Sequence, residues 1–338
     1  FTASEKYSTQ DFRDPYAFYV DEDQCYWMLV VTRTVKGGVI VKYTSKDLSK
    51  WKDEGIFFED DLGYGTNMEC PSVLEYNGTW YLAFSDQWPD RVVHYRISDS
   101  LKGEFKKPEK DTFDGNGFYA GRLETDGENL YIVGWNGTKV SHDDFNDYDW
   151  GGNMVVHQMA QQSDGTLKPV VNPMIVEKIS KEADLTPVVM TDTVGETDGG
   201  YQMAGDQYEL VQFNRLEGSS RVEMDITDYQ DDEMFGIAFA PDSEQVGNLN
   251  YIFTVKENRI EFYNTDEIFD TDAQSFIDYD FGGKDEIHVT MLADGGVVCL
   301  FIDGEVALTT RMYRAQSANW QLVGINSDVT WTNLALYH

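Results

Sequence analysis

The chain has 338 residues and a mass of 38.6 kDa, more than one ordinary domain of about 100–200 residues holds, so two are expected. Hydrophobic residues at 41% suffice for a buried core, and no apolar run approaches the roughly 18 residues that would span a bilayer. With 26 Lys+Arg against 60 Asp+Glu the net charge is −34, which repels phosphate backbones and anionic lipid and argues against nucleic-acid and membrane partners.

The N-terminal residues, from Phe1 to Gln10, lack the basic and apolar regions of a signal peptide. Strand signals follow at once. Asp14-Pro15-Tyr16-Ala17-Phe18 opens a hairpin whose second strand is Trp27-Met28-Leu29-Val30-Val31. Cys70-Pro71-Ser72-Val73-Leu74 with Trp80-Tyr81-Leu82-Ala83-Phe84 repeats it 53 residues on. Tyr119-Ala120-Gly121-Arg122-Leu123 with Leu130-Tyr131-Ile132-Val133-Gly134 gives a third copy after a further 50. Third strands match too, since Val41 to Ser45 before Leu48 echoes Val93 to Ser98 before Leu101. Units of about 50 residues, each a small meander, read as blades of a β-propeller; the competing reading is a set of aromatic hairpins in a sandwich.

Around Pro173 to Asp192 the period is lost. Short alternating strands follow, among them Arg221 to Asp225, Tyr251 to Val255, Ile287 to Met291 and Val297 to Phe301, with turns at Asp294-Gly295 and Asp303-Gly304. This pattern predicts an antiparallel β-sandwich, giving an all-β chain with an incomplete propeller over 1–178 and a sandwich over 179–338. The propeller stretch holds only three blades and part of a fourth at about 50 residues each, whereas closure takes four to eight. The expectation is that an N-terminal segment or a second chain completes it. Cys25, Cys70 and Cys299 form neither a disulfide framework nor a zinc spacing, which fits a reducing, cytoplasmic compartment.

Chemistry in a propeller sits where innermost strands open onto the central channel. Those strands open with Arg13-Asp14-Pro15, Glu69-Cys70-Pro71 and Phe118-Tyr119-Ala120, so the repeat places Asp14, Glu69 and Tyr119 at near-equivalent positions. Two carboxyls flanking a sugar bond are the working parts of most glycosidases. The plainer reading is that acids at strand starts are turn formers, that Arg13 is a surface arginine, and that Trp135 packs in the core rather than on a sugar face. His94 and His157 lie in apolar strands and read as core histidines, and Trp88 lies on a loop.

Taken in order, Arg13-Asp14-Pro15, Glu69-Cys70-Pro71 and Gly117-Phe118-Tyr119-Ala120 followed by Gly134-Trp135 resemble glycoside hydrolase family 32, the invertases, levanases and fructan hydrolases. The stretch from Ile287 to Tyr313 resembles the family's sandwich-domain ending. The resemblance implies a five-bladed propeller followed by a β-sandwich, retaining hydrolysis of β-fructofuranosides such as sucrose or fructans, and no metal or organic cofactor. It implies Glu69 as general acid/base and Asp14 as transition-state stabiliser. Arg13, Cys70, Tyr119 and Trp135 would line the sugar pocket. The family's nucleophile is an aspartate well before the Arg-Asp-Pro motif, and nothing ahead of Asp14 matches it; Asp11 is too near in sequence to come from another blade. This chain alone is therefore expected to be inactive. An inverting propeller glycosidase of the arabinanase type and a non-catalytic sugar-binding propeller are the alternatives.

Overall fold

A computed structural model describes residues 2–59, 61–63, 65–205, 207–240 and 248–338. The described residues are nearly all β. The only α-helix among them, Pro173–Lys178, is far too short to cross a membrane. The chain divides into two compact units, Phe1–Trp135 with Met154–Leu167, and Asn136–Asn153 with Lys168–His338.

In the first unit the repeats appear as successive meander sheets. The first is β1 (Arg13–Val20), β2 (Cys25–Thr34), β3 (Gly37–Ser45) and β4 (Lys52–Glu59), each strand pairing with the next. The second is β5 (Met68–Tyr76), β6 (Thr79–Asp86) and β7 (Val93–Ser98). The third is β8 (Phe118–Thr125), β9 (Leu130–Lys139), β10 (Tyr148–Gln161) and β11 (Leu167–Val170), with β9 and β10 running on into the second unit. The middle strands are buried on both faces, which is why β2 and β6 read as near-continuous apolar runs. Trp27, Leu29, Ile40, Leu82 and Phe84 fill the space between the first two sheets, and Tyr81, Tyr95, Phe113, Phe118 and Ile132 that between the second and third. His94 and His157 are core histidines, each bonded to a buried carboxylate: His94 Nδ1 lies 2.9 Å from Asp111 Oδ2, and His157 Nε2 lies 2.8 Å from Asp114 Oδ2.

The second unit is the expected sandwich. One sheet runs through Gly200–Ala204, Asp328–Tyr337, Ser220–Thr227, Glu286–Asp294, Val297–Ile302 and Val306–Arg311. The other runs through Pro187–Met190, Tyr208–Phe213, Asn319–Ile325, Met234–Ala240, Leu249–Thr254, Arg259–Tyr263 and Ser275–Asp278. One continuous core fills the space between them, with Trp320 and Trp331 fully buried and Phe213 stacked on Trp320 at 4.6 Å. The segment Asn136–Asn153 is fastened within this unit: Arg311 donates to the carbonyls of Gly137 and Asn136 at 3.0 and 2.9 Å, and the buried Asp144 accepts the amides of Tyr313 and Arg314 at 2.6 and 3.1 Å.

Candidate active site

The innermost strands of the three meanders open with the same local distortion. Asp14, Cys70 and Ala120 each have a positive φ, of 54°, 52° and 56°. The pairing of β1 with β2 slips between Arg13 and Tyr16, and that of β5 with β6 slips between Glu69 and Ser72. Each is a β-bulge, an extra residue that bends the strand and re-aims the side chain before it. The structural repeat is therefore one residue off the expected one. Arg13, Glu69 and Tyr119 are the equivalent positions, while Asp14 is equivalent to Cys70 and Ala120.

Those three equivalent side chains meet. Arg13 Nε and Nη2 donate to Glu69 Oε1 at 2.9 and 2.6 Å, and the Tyr119 hydroxyl donates to Glu69 Oε2. The Glu69 side chain keeps 13% exposure, so the carboxyl held by Arg13 and Tyr119 remains partly accessible. Asp14 sits alongside, with Oδ2 accepting from the Cys70 amide at 2.9 Å and 3.6 Å from Cys70 Sγ. The backbone amide after the glutamate thus holds the aspartate, and this fixes the two carboxylates relative to each other. Trp135 meets the Tyr119 ring edge-on at 5.4 Å. All six residues singled out from the sequence, Arg13, Asp14, Glu69, Cys70, Tyr119 and Trp135, belong to one connected group.

Electrostatics follow from this packing. Burial works to lower the Arg13 pKa, but hydrogen bonds from Glu69 and Asp11 and the charges of Glu69 and Asp14 outweigh it, so the guanidinium is held charged. Burial first, then the hydrogen bond to Glu69, pushes the Tyr119 phenol far up, so it remains a donor. Burial, reinforced by Asp14, raises the Cys70 thiol to about 12.

Four residues join the group that the sequence did not single out for it. Asn67 donates to Asp11 Oδ1 at 3.1 Å and to Gln87 Oε1 at 3.0 Å, and Asp11 in turn accepts from Arg13 Nη1 at 3.1 Å. Burial would raise the Asp11 pKa, but these bonds from Asn67 and Arg13 overcome it and hold it low. Arg91, almost fully buried, lies over the rings of Tyr119 and Trp135 at 5.0 and 5.5 Å. Asn67 was accessible to sequence reasoning, since it lies two residues before Glu69 and side chains two apart in a strand share a face. Gln87 faces Asn67 across the hairpin. Arg91 had no local signal.

A repeated-meander unit with a clustered carboxylate pair, followed by a sandwich, defines a class of propeller glycosidase architecture, and comparison with known proteins narrows it. The family model described as "Glycosyl hydrolases family 32 N-terminal domain" matches residues 1–170, and "GH32, BT1760-like, C-terminal domain" matches 165–335. The chain belongs to glycoside hydrolase family 32. A sucrose-6-phosphate hydrolase of Vibrio alginolyticus is 27% identical over 236 residues, covering 63% of this chain and 47% of that protein. A levanase of Bacillus subtilis (strain 168) is 35% identical over 66 residues, 20% of this chain and 9% of that protein. Among solved structures, the sucrose-6-phosphate hydrolase from Lactobacillus gasseri aligns with a TM-score of 0.67 at 18% identity, over 99% of this chain and 67% of that one. The Bombyx mori β-fructofuranosidase BmSUC1 aligns with a TM-score of 0.64 at 18% identity, over 97% and 66%. The chain thus spans about half the length of the Vibrio relative and about two thirds of these structures. At such identities the structural likeness speaks for the fold, a family 32 propeller followed by a β-sandwich.

Proposed function

We propose that this chain carries the acid/base half of a retaining β-fructofuranosidase site acting on terminal fructosyl linkages of sucrose or fructans. The supporting observation is the geometry at Glu69, a partly exposed carboxyl gripped by Arg13 and Tyr119 with Asp14 tied to the next backbone amide. In this reading Glu69 protonates the leaving oxygen as a carboxylate nucleophile attacks the anomeric carbon, then deprotonates the water that releases fructose. Asp14 accepts from fructose hydroxyls, and Trp135 offers an apolar face to the ring. No described residue is assigned the nucleophile's role, because Asp11 stands only three residues before Asp14 and so belongs to the same blade. In this reading the nucleophile comes from a segment or a second chain that completes the propeller. Family membership and the names of the relatives, which include hydrolases of sucrose phosphate and a levanase, support the substrate class.

The test is fructose release from sucrose, inulin and levan. Residues 1–338 alone release none, whereas the full-length enzyme releases fructose with its anomeric configuration initially retained. Glu69→Gln in that enzyme lowers kcat by about 10²–10⁴-fold, the range of a lost general acid. Turnover by residues 1–338 alone, or a Glu69→Gln variant near wild-type rates, contradicts the assignment. First release of the inverted anomer points to the arabinanase type of mechanism.

A further inference from the structure

The loop between β6 and β7 brings a buried cation to the site. Asp86, fully buried, closes it: its carboxylate accepts from the amides of Val92 at 2.7 Å and Asp90 at 3.3 Å, and its own amide donates to the Val92 carbonyl at 3.1 Å. The loop is also pinned to the strand entering β5, with the Gln87 amide donating to the Asn67 carbonyl at 2.9 Å and the Thr66 hydroxyl to the Trp88 carbonyl at 2.5 Å. Within this frame Arg91 adopts φ +57°, a left-handed conformation that side-chain-bearing residues rarely take. Two costs coincide at one residue, a strained backbone and an arginine with only 7% exposure. What they achieve is placement. The guanidinium lies over the faces of Tyr119 and Trp135, and Nη1 donates at 3.0 Å to the carbonyl of Asn116, two residues before β8 begins.

We propose that Arg91 is a positioning residue for the acid/base: it clamps the Tyr119 ring and polarises its hydroxyl so that the phenol holds Glu69. This inference rests on the reading of Glu69 given above. A cation over an aromatic face is attracted by the ring's negative quadrupole and draws electron density from it, which makes a phenol a better donor. Hydrogen bonding to a carboxylate favours its charged form. Arg91 therefore tunes, through Tyr119, how readily Glu69 gives up its proton, alongside Arg13, which bonds the same carboxyl, Asp14 and Cys70, which border it, and Asp86, whose charge acts on Tyr119 in the opposite sense.

The sign of the effect follows. Replacing Arg91 by a neutral side chain weakens the Tyr119 bond, so the protonated acid persists to higher pH. The alkaline limb of the kcat/KM profile should then move up. In the full-length enzyme on sucrose or levan, Arg91→Met is expected to shift that limb by about 0.5 pH unit, the equivalent of one cation–π contact. Arg91→Lys, which keeps a cation, recovers part of the shift. In a Tyr119→Phe background Arg91→Met moves the limb no further, because the hydroxyl through which it acts is gone. An unmoved limb in Arg91→Met, or the same shift with and without the Tyr119 hydroxyl, overturns the proposal. Where Arg91→Met does not fold, Arg91→Lys in the two backgrounds gives the same comparison. Wild-type turnover tests the reading of the site, and only the variants test Arg91. If the wild type releases no fructose, crystal structures of the wild type and the variant decide: Tyr119 displaced from Glu69 in Arg91→Met supports the clamp, and an unchanged bond refutes it.

Discussion

Cys70 follows the proposed acid and borders the proposed stabiliser, yet it is poorly suited to chemistry of its own. Desolvation and the neighbouring Asp14 charge hold its thiol at about 12, against about 8.5 for a free cysteine. At pH 8 its thiolate fraction is lower than a free thiol's by roughly three orders of magnitude. Cys25 and Cys299 are buried. The folded chain should therefore react with a disulfide reagent such as DTNB at pH 8 at least about 100-fold more slowly than glutathione, with all three thiols appearing only on unfolding. One fast equivalent in the native protein would show that Asp14 and burial do not control this thiol. What Cys70 contributes is its amide, which holds Asp14 at 2.9 Å. Cys70→Ser should leave that bond and the pocket in place, and Cys70→Pro should remove it. The residues that carry the site were legible because each sits in a short motif at a strand start. What the sequence could not show is which atom of each motif does the holding.

The strand openings show where legibility stopped and why. The repeat of about 50 residues was readable because middle strands buried on both faces leave long apolar runs, and these recur as Trp27 to Val31 and Trp80 to Phe84. The bulge was not readable. Its position is marked by a left-handed residue, and in none of the three copies is that residue a glycine: Asp14, Cys70 and Ala120 occupy it. An offset of one residue sends a strand's side chains to the opposite face, so the expected pairing of Asp14 with Glu69 became a pairing of Arg13 with Glu69. The strain is testable at Ala120, the copy whose side chain has no bonding role. Ala120→Gly removes a cost of about 1 kcal/mol and returns part of it through the looser unfolded chain, so the variant should be neutral to slightly more stable. Ala120→Val adds β-branching to the left-handed backbone and should destabilise by about 1–2 kcal/mol. Urea midpoints measure both. If Gly is the more damaging substitution, the Ala120 methyl supplies packing that outweighs the strain. The corresponding lesson for Arg91 is that loop conformation, here set by Asp86, has no period from which to read it.

At the scale of the whole molecule, charge dominates. A net charge of −34 opposes compaction at low ionic strength, and buried or bridging cations on each unit offset it locally. In the first unit Arg96, fully buried, bonds Asp61 and Asp111, while His94 bridges Asp111 and Asp86. Burial alone would lower the His94 pKa, but bonds from Asp111 and Asp86 reverse the sign and raise it. In the second unit His288 lies between Glu223 Oε2 at 3.1 Å and Asp225 Oδ1 at 2.6 Å, and its hydrogen bond with Glu223, helped by that with Asp225 and by both charges, pushes it up to about 9 against the opposing effect of burial. Both histidines bind a proton more tightly when folded. Each therefore adds stability in full below the unfolded value of about 6.5 and loses it as pH rises through the folded value. Asp111 has the opposite sign: burial acts to raise it, but bonding and charge from His94 and the charges of Arg96 and Lys107 hold it at about 2. Its contribution is complete above about pH 4 and is lost as pH falls toward 2. Stability should accordingly peak between about pH 4 and 6.5 and decline steadily to pH 9. His288→Gln should flatten the part of that decline that belongs to the second unit, by less than a buried pair would give because the imidazole is half exposed. Raising NaCl from about 20 mM to 200 mM should raise the midpoint of thermal unfolding more at pH 9 than at pH 6, because the histidines are losing their charge there and the acidic excess is larger. A urea midpoint that is constant from pH 6 to 9, or that rises over that range, would mean that the histidine–carboxylate pairs do not persist in solution.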